Sequence, residues 1–270
     1  MSATVSVQPA GVWDVAKPQM RNVLRSKWLF CYALFFVVAT EGLLRFTGGD
    51  AKTLLSLANV VLFVIPLVTV VYGTIYLYNS REFVELLLAH PLKRRTVYFG
   101  LYLGLAAPII SAFIAGVSIP FVTRGLLVDA RGPLATLLAG GAALTLAFTA
   151  LAFCIALRFE DRLTGLGAAM AIWLLFALVY DGVVLFIVSI MSDHSIEKSL
   201  LVVSLANPID LVRIALLLQF DISALMGYTG AVFNRFFSGA IGLGVISAAL
   251  ATWIGAPVFL GLHSFKRKDF

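Results

Sequence analysis

Of 270 residues, 61% are apolar and only 13% charged, with a mean hydropathy of +0.99, whereas a water-soluble domain carries about 25% charged residues. That balance excludes an ordinary soluble globule and asks for a lipid environment. The net charge of +6 comes with no basic-aromatic stripe and no nucleic-acid motif, so the cations report membrane orientation and no nucleic-acid partner is expected.

Residues 11–27 place Val12, Val15, Ala16, Met20, Val23 and Leu24 on a loose helical period interrupted at Pro18, with Lys17, Arg21, Arg25 and Lys27 alongside. The pattern predicts an interfacial elbow helix on an anionic leaflet, with Trp13 at headgroup depth. The competing reading is a polar tail without fixed structure. The first apolar run starts near Trp28 and has no Ala-x-Ala site after it, which predicts a retained span and not a cleaved signal.

Six apolar runs follow, at about residues 28–44, 54–78, 97–122, 134–157, 163–190 and 240–262. Each can cross a hydrocarbon core about 30 Å thick, so the chain reads as one all-α, polytopic membrane domain over residues 1–270. The second run ends in Tyr72, Tyr76 and Tyr78, a set suited to the membrane interface, and Pro108 and Pro120 predict kinks in the third. An even number of spans puts both ends on one side. Lys and Arg number four in the lead, four in residues 79–95, two in the turn at Arg158 and three in the tail; the alternate loops hold two, two and three. The richer set belongs in the cytoplasm.

Between the second and third spans, residues 79–95 carry helix punctuation at both ends. Asn79 is placed to cap, Glu82 to complete the capping box, and Pro91 to stop the helix. Phe83, Leu86 and Leu87 then form an apolar stripe beside Arg81, Glu82 and Glu85. In an aqueous loop nothing of the same chain is expected to cover that stripe, so it predicts a docking partner, with the lipid headgroups as the competing cover.

The segment at residues 191–239 is the one long outer loop. Asn207, Pro208 and Asp210 read as N-cap, first-turn proline and first-turn acid. The apolar run at 211–220 contains Arg213 and is too short to cross, predicting a re-entrant or interfacial helix. Asp221 is placed to cap a second short helix through Met226, ended by Gly227.

No Gly-x-x-x-x-Gly-Lys-Ser/Thr, His-Glu-x-x-His or Cys-x-x-Cys occurs, so the chain is expected neither to hydrolyse ATP by itself nor to hold a cofactor or a catalytic metal. Carboxylates inside spans are costly and point to function or to a partner. Glu41 has Arg45 four residues on, the spacing of a helical ion pair; Asp181 has no local partner. Each could instead line a translocation path. Cys31 and Cys154 lie at matching depths and could bind a soft cation such as Cu(I), or simply pack as small apolar groups. Met191 and His194 raise the same question on the outer loop. Small-residue pairs at Gly100 and Gly104, Gly165 and Ala169, and Ala240 and Gly244 mark sites of close helix approach or dimerisation.

The stretch Glu85-Leu86-Leu87-Leu88-Ala89-His90-Pro91-Leu92-Lys93-Arg94-Arg95 resembles the coupling helix of type-2 ABC exporter permeases, whose elbow helix, six spans and short outer helices before the last span match the layout above. Asn207-Pro208-Ile209-Asp210-Leu211-x-Arg213, followed by the stretch containing Met226 and Tyr228, is similar to the permeases of nitrous oxide reductase maturation. The resemblance implies a non-catalytic homodimer in a bacterial inner membrane, both termini cytoplasmic, with two cytoplasmic ATP-binding subunits below and a periplasmic solenoid subunit above. It implies a role in assembling the copper sites of nitrous oxide reductase, by moving copper or a sulfur species or by mechanical action on the periplasmic partner. By the same resemblance Glu82, Phe83, Leu86 and His90 couple to the ATPase, and Asn207, Pro208, Asp210, Arg213, Met226 and Tyr228 meet the periplasmic partner. Two other readings stand beside it: a proton-coupled secondary carrier using Asp181 and Glu41, and a structural anchor for a periplasmic factor.

Overall fold

The computed structural model describes residues 11–46, 50–90, 92–126, 130–190, 204–219 and 239–268, and all regular structure among them is helical. The helices are α1 (Val12–Leu24), α2 (Lys27–Phe46), α3 (Asp50–Asn79), α4 (Arg81–Leu88), α5 (Arg94–Thr123), α6 (Arg131–Arg158), α7 (Arg162–Leu174), α8 (Tyr180–Ile190), α9 (Pro208–Gln219) and α10 (Gly239–Arg267). A π-helical turn, Leu175–Val179, joins α7 to α8. Six stretches are long and apolar enough to cross a membrane: Lys27–Phe46, Lys52–Asn79, Arg94–Thr123, Arg131–Arg158, Arg162–Val184 and Gly242–Arg267. The proposed second short outer helix at 221–226, with Met226 and Tyr228, lies outside the described residues, as do Pro91, Met191 and His194.

α5 is the hub. At 30 residues it reaches about 45 Å, runs unbroken through Pro108 and Pro120, and is buried on several sides. α1 and α2 pack along one flank, while α6 packs against α3, α5, α9 and α10. Lipid tails are as apolar as leucine, so water exclusion does not hold such helices together; shape does. Three glycines of α5 supply that shape. A Cβ on Gly100 would lie 2.6 Å from the Val15 Cβ, one on Gly104 2.7 Å from the Gln19 Cβ, and one on Gly116 2.8 Å from the Ala33 carbonyl oxygen. The first pair is the small-residue motif read from the sequence, and it receives α1 and not another of the six long apolar helices. Gly244, by contrast, has nothing within 4 Å of its would-be Cβ.

α1 itself is continuous through Pro18, which the sequence reading had as an interruption. A proline there removes one backbone donor and no more, because the packed face, Val15, Ala16, Gln19 and Val23, keeps the helix in place. The tyrosines at the end of α3 are tied into the bundle. Each fastens a different neighbour. Tyr72 stacks on Trp28 at 4.1 Å, the Tyr76 hydroxyl donates to Gln19 at 2.9 Å, and Tyr78 reaches the α6–α7 turn. The core between α3, α5, α6 and α10 is aromatic, with Tyr98, Phe113, Phe148, Phe153 and Phe265 fully buried.

Candidate functional site

α4 begins at Arg81, preceded by Ser80, whose hydroxyl donates back to the Tyr76 carbonyl at 2.8 Å. Asn79 is the last residue of α3 and caps nothing, because α3 continues one residue further than its apolar run. The helix ends at Leu88. The Ala89 N–H closes onto the Glu85 carbonyl at 3.0 Å, and the His90 Nδ1 lies 3.0 Å from the Leu86 carbonyl.

The apolar stripe is not left uncovered. Val84 is 1% exposed, and Phe83, Leu87 and Leu88, each half-buried, pack against the core, so the chain covers part of the stripe itself. Leu86 alone turns away, 67% exposed. With Glu82, Glu85 and His90, all exposed, it forms a ridge at helical spacing of acids around one apolar knob. Phe83, expected on the docking surface, is half-buried, with part of its ring against the core. Among the described residues neither glutamate has an ion-pair partner.

The two ends of this segment hold other elements at the same end of the bundle. Arg81 lies over the Tyr78 ring and donates to the Phe159 carbonyl at 3.3 Å. The Tyr78 hydroxyl donates to the same carbonyl at 2.9 Å and to that of Asp161 at 3.3 Å. Asp161 caps α7 by accepting from the Thr164 N–H and hydroxyl; the same bonds hold its carboxyl below the ordinary range. A side chain at Gly165 would strike the Tyr78 hydroxyl. Beyond α4, Arg94 donates to the carbonyls of Phe265, Lys266 and Lys268 at 3.4, 3.0 and 2.6 Å, and Lys268 donates to the Leu157 carbonyl at 3.1 Å. Cations on orphan C-terminal carbonyls are favourable at helix ends. Here they link α4 to the α6–α7 turn, and the start of α5 to the ends of α10 and α6. The sequence signalled the charges but not their targets.

At the opposite end, Glu41 accepts from Arg45 at 2.9 Å, as its spacing predicts, and also from Arg124 at 2.6 Å, which ties α2 to the end of α5. Asp181 has a partner after all. Arg213 of α9 donates to it at 3.0 Å and to Asp210 at 2.9 Å. Asn207 caps α9, accepting from the Ile209 N–H at 3.0 Å while its amide donates to Asp210 and, at 2.9 Å, to the carbonyl of Phe176 in the π-helical turn. A wide turn breaks the regular i→i−4 ladder, and the Asn207 amide takes one of its carbonyls. Asn207, Pro208 and Asp210 are buried, so they seat α9 and present little surface. Arg213 also borders an open cavity of about 340 Å³ between α3 and α9, lined by Leu55, Asn59, Leu62 and Leu216.

Burial pushes the Asp210 carboxyl up to about 6; nearby Asp181 adds to this, while Arg213 and the Asn207 amide oppose it. Between an unfolded value near 3.9 and that folded value the native state holds more protons. Stability therefore rises as pH falls from 6 toward 4, and above 6 the cost of ionisation is fully present. Asp210→Asn, which keeps the site neutral, is expected to be the more stable form at pH 7 by on the order of 2 kcal/mol, the gap falling to about half by pH 5 and closing only near pH 4. Thermal midpoints of both proteins in detergent across that interval check this; a gap that widens on acidification reverses the sign.

Residues 13–270 match the family described as ABC-2 family transporter protein. The chain belongs to the ABC-2 transporter family. Two similar proteins both carry the name "Probable ABC transporter permease protein NosY". The one from Pseudomonas aeruginosa is 26% identical over 277 residues, covering 95% of this chain and 98% of its own. The one from Stutzerimonas stutzeri is 27% identical over 276 residues, with the same coverage. An ABC-2 permease is the membrane component of its transporter, and the helical architecture described above accords with that part. Cys31 is exposed and Cys154 donates its thiol to the Pro257 carbonyl at 3.0 Å; among the described residues no cluster of three metal-ligating side chains occurs.

Proposed function

We propose that this ABC-2 chain is the permease subunit of a NosY-type transporter, one transmembrane domain that converts ATP hydrolysis by a separate cytoplasmic subunit into work on the far side of the membrane. The work is the assembly of the copper sites of nitrous oxide reductase, by passage of copper or a sulfur species or by a pull on a periplasmic solenoid subunit. The chain acts as a homodimer above two ATP-binding subunits, in a bacterial inner membrane with both termini cytoplasmic. α1 serves as the elbow and α4 as the coupling helix.

The observation that carries this reading is the ridge of α4. A helix that buries Val84 and rests Phe83 on the core yet turns Leu86 outward between two unpaired glutamates and His90 presents a small, shaped contact. Arg81, at its base, gives any push on that contact a route to the α6–α7 turn. The carrier reading loses ground by comparison. Glu41 and Asp181 are both held by arginines, which makes them struts between helices rather than free proton sites.

The test separates Leu86 from Phe83. Leu86→Asp is expected to insert and melt like the wild type, because its side chain is exposed, yet to weaken association with the ATP-binding subunit by about 2 kcal/mol or more, roughly thirtyfold. Phe83→Asp is expected to lower the thermal midpoint as well, since it sets a carboxylate against the core. Co-purification of the subunits and maturation of the reductase are the readouts. Full association and maturation with Leu86→Asp would remove the coupling role from α4.

A further inference from the structure

We infer that the membrane-facing side of α1 is a binding site for the headgroup of an anionic phospholipid. α1 has two unlike faces. One is locked onto α5 by the fit at Gly100 and Gly104. The other carries Trp13, Lys17, Met20, Arg21, Leu24 and Arg25, which line an open groove of about 350 Å³. Trp13 is 60% and Leu24 54% exposed.

The groove's chemistry fixes its occupant. Lys17, Arg21 and Arg25 recur every four residues and form a row along the helix, and no carboxylate pairs with them among the described residues. Trp13, Met20 and Leu24 supply apolar surface between the cations. A row of cations set in an apolar wall matches a phosphate that carries acyl chains; a bare anion would waste the wall and a neutral lipid the row. Because α1 is held on α5 through its opposite face, the row is ordered before lipid arrives, and bound lipid would brace the hub helix at its cytoplasmic end. That placement at the inner leaflet rests on the orientation proposed above; the binding itself does not.

The experiment uses purified full-length protein in a non-ionic detergent and a fluorescent short-chain phosphatidylglycerol. Tight binding is expected, competed by unlabelled phosphatidylglycerol but not by phosphatidylethanolamine or inorganic phosphate, and weakened by raising salt from about 50 to 500 mM. Lys17→Gln/Arg21→Gln/Arg25→Gln is expected to lose roughly a hundredfold in affinity, about fivefold per cation. Lys52→Gln/Lys93→Gln/Lys266→Gln, with the same change of net charge, is expected to bind as wild type. Equal competition by phosphatidylethanolamine, effective competition by inorganic phosphate, or equal losses in the two triple variants would each overturn the proposal. The lipid and salt arms need only the unmodified protein, so they decide the matter even where a variant fails to fold. Cysteine labelling at Asn22 in intact cells reports orientation separately: lipid binding with outward labelling would sink the topology and leave this site standing.

Discussion

Replacing Gly100 and Gly104 together by valine is expected to detach α1 from α5 and leave the protein prone to proteolysis within α1. Even a single Cβ at either place sits closer to Val15 or Gln19 than real contacts allow, at 2.6 and 2.7 Å, and the atoms it meets are the first carbons of side chains, which move only if their backbone moves. Overpacking of that kind costs about 1–3 kcal/mol per site and sometimes more. Two such sites on one face leave α1 no register to slide into. The displaced helix would expose Ala16 and strip the Tyr76 hydroxyl of its bond to Gln19, adding an unsatisfied polar group at about 1–3 kcal/mol. Limited proteolysis in detergent, with thermal midpoints, measures the result. Gly244→Val is the control: with nothing near its Cβ, it should leave the midpoint of the isolated chain unchanged. Wild-type resistance of α1 in the double variant would mean that it does not depend on this fit.

Removal of Arg213 is the second large effect. One guanidinium nitrogen serves both Asp181 and Asp210, and Arg213→Leu leaves the two carboxylates facing each other. Breaking a fully buried pair costs about 3–5 kcal/mol. Here the Asp210 side chain is 12% exposed but Asp181 40% and Arg213 36%, so solvent screening brings the expectation to roughly 2 kcal/mol. The loss should fall on the seating of α9, seen as faster hydrogen exchange over Pro208–Gln219. Neutralising the acids in the same protein, with Asp181→Asn and Asp210→Asn, should return most of the stability, since an unpaired charge and not a lost attraction is the main penalty. If Arg213→Leu exchanges no faster than wild type over α9, the network does not hold that helix.

What could be read from the sequence was whatever the chain encodes locally. The six spans follow from length and apolarity. Asn207 as a cap follows from its own neighbours, and Glu41 with Arg45 from a spacing of four. The partners that close these features lie far off in sequence: Arg124 for Glu41, Arg213 for Asp181, the Phe176 carbonyl for Asn207. No periodicity connects them. The partial cover of the α4 stripe has a different origin. Phe83, Leu86 and Leu87 share a stripe on a helical wheel, but the core that covers Phe83 and Leu87 comes from elements the loop's own sequence does not mention. Which edge stays free depends on how the helix is rolled against α3 and α5. Likewise Gly100 and Gly104 announce a close approach without naming α1 as the guest.

The π-helical turn at Leu175–Val179 resets the side of the helix on which Asp181 stands. On a regular helix, twelve residues separate Ala169 from Asp181 by about 120° around the axis, placing the acid off the buried edge that Ala169 marks. One residue absorbed in a wide turn subtracts about 100° and brings the two to within roughly 20°. The span is thus two rods whose stripes are out of phase by design of a single surplus residue. Any periodicity drawn straight through it assigns the far half to the wrong compass bearing.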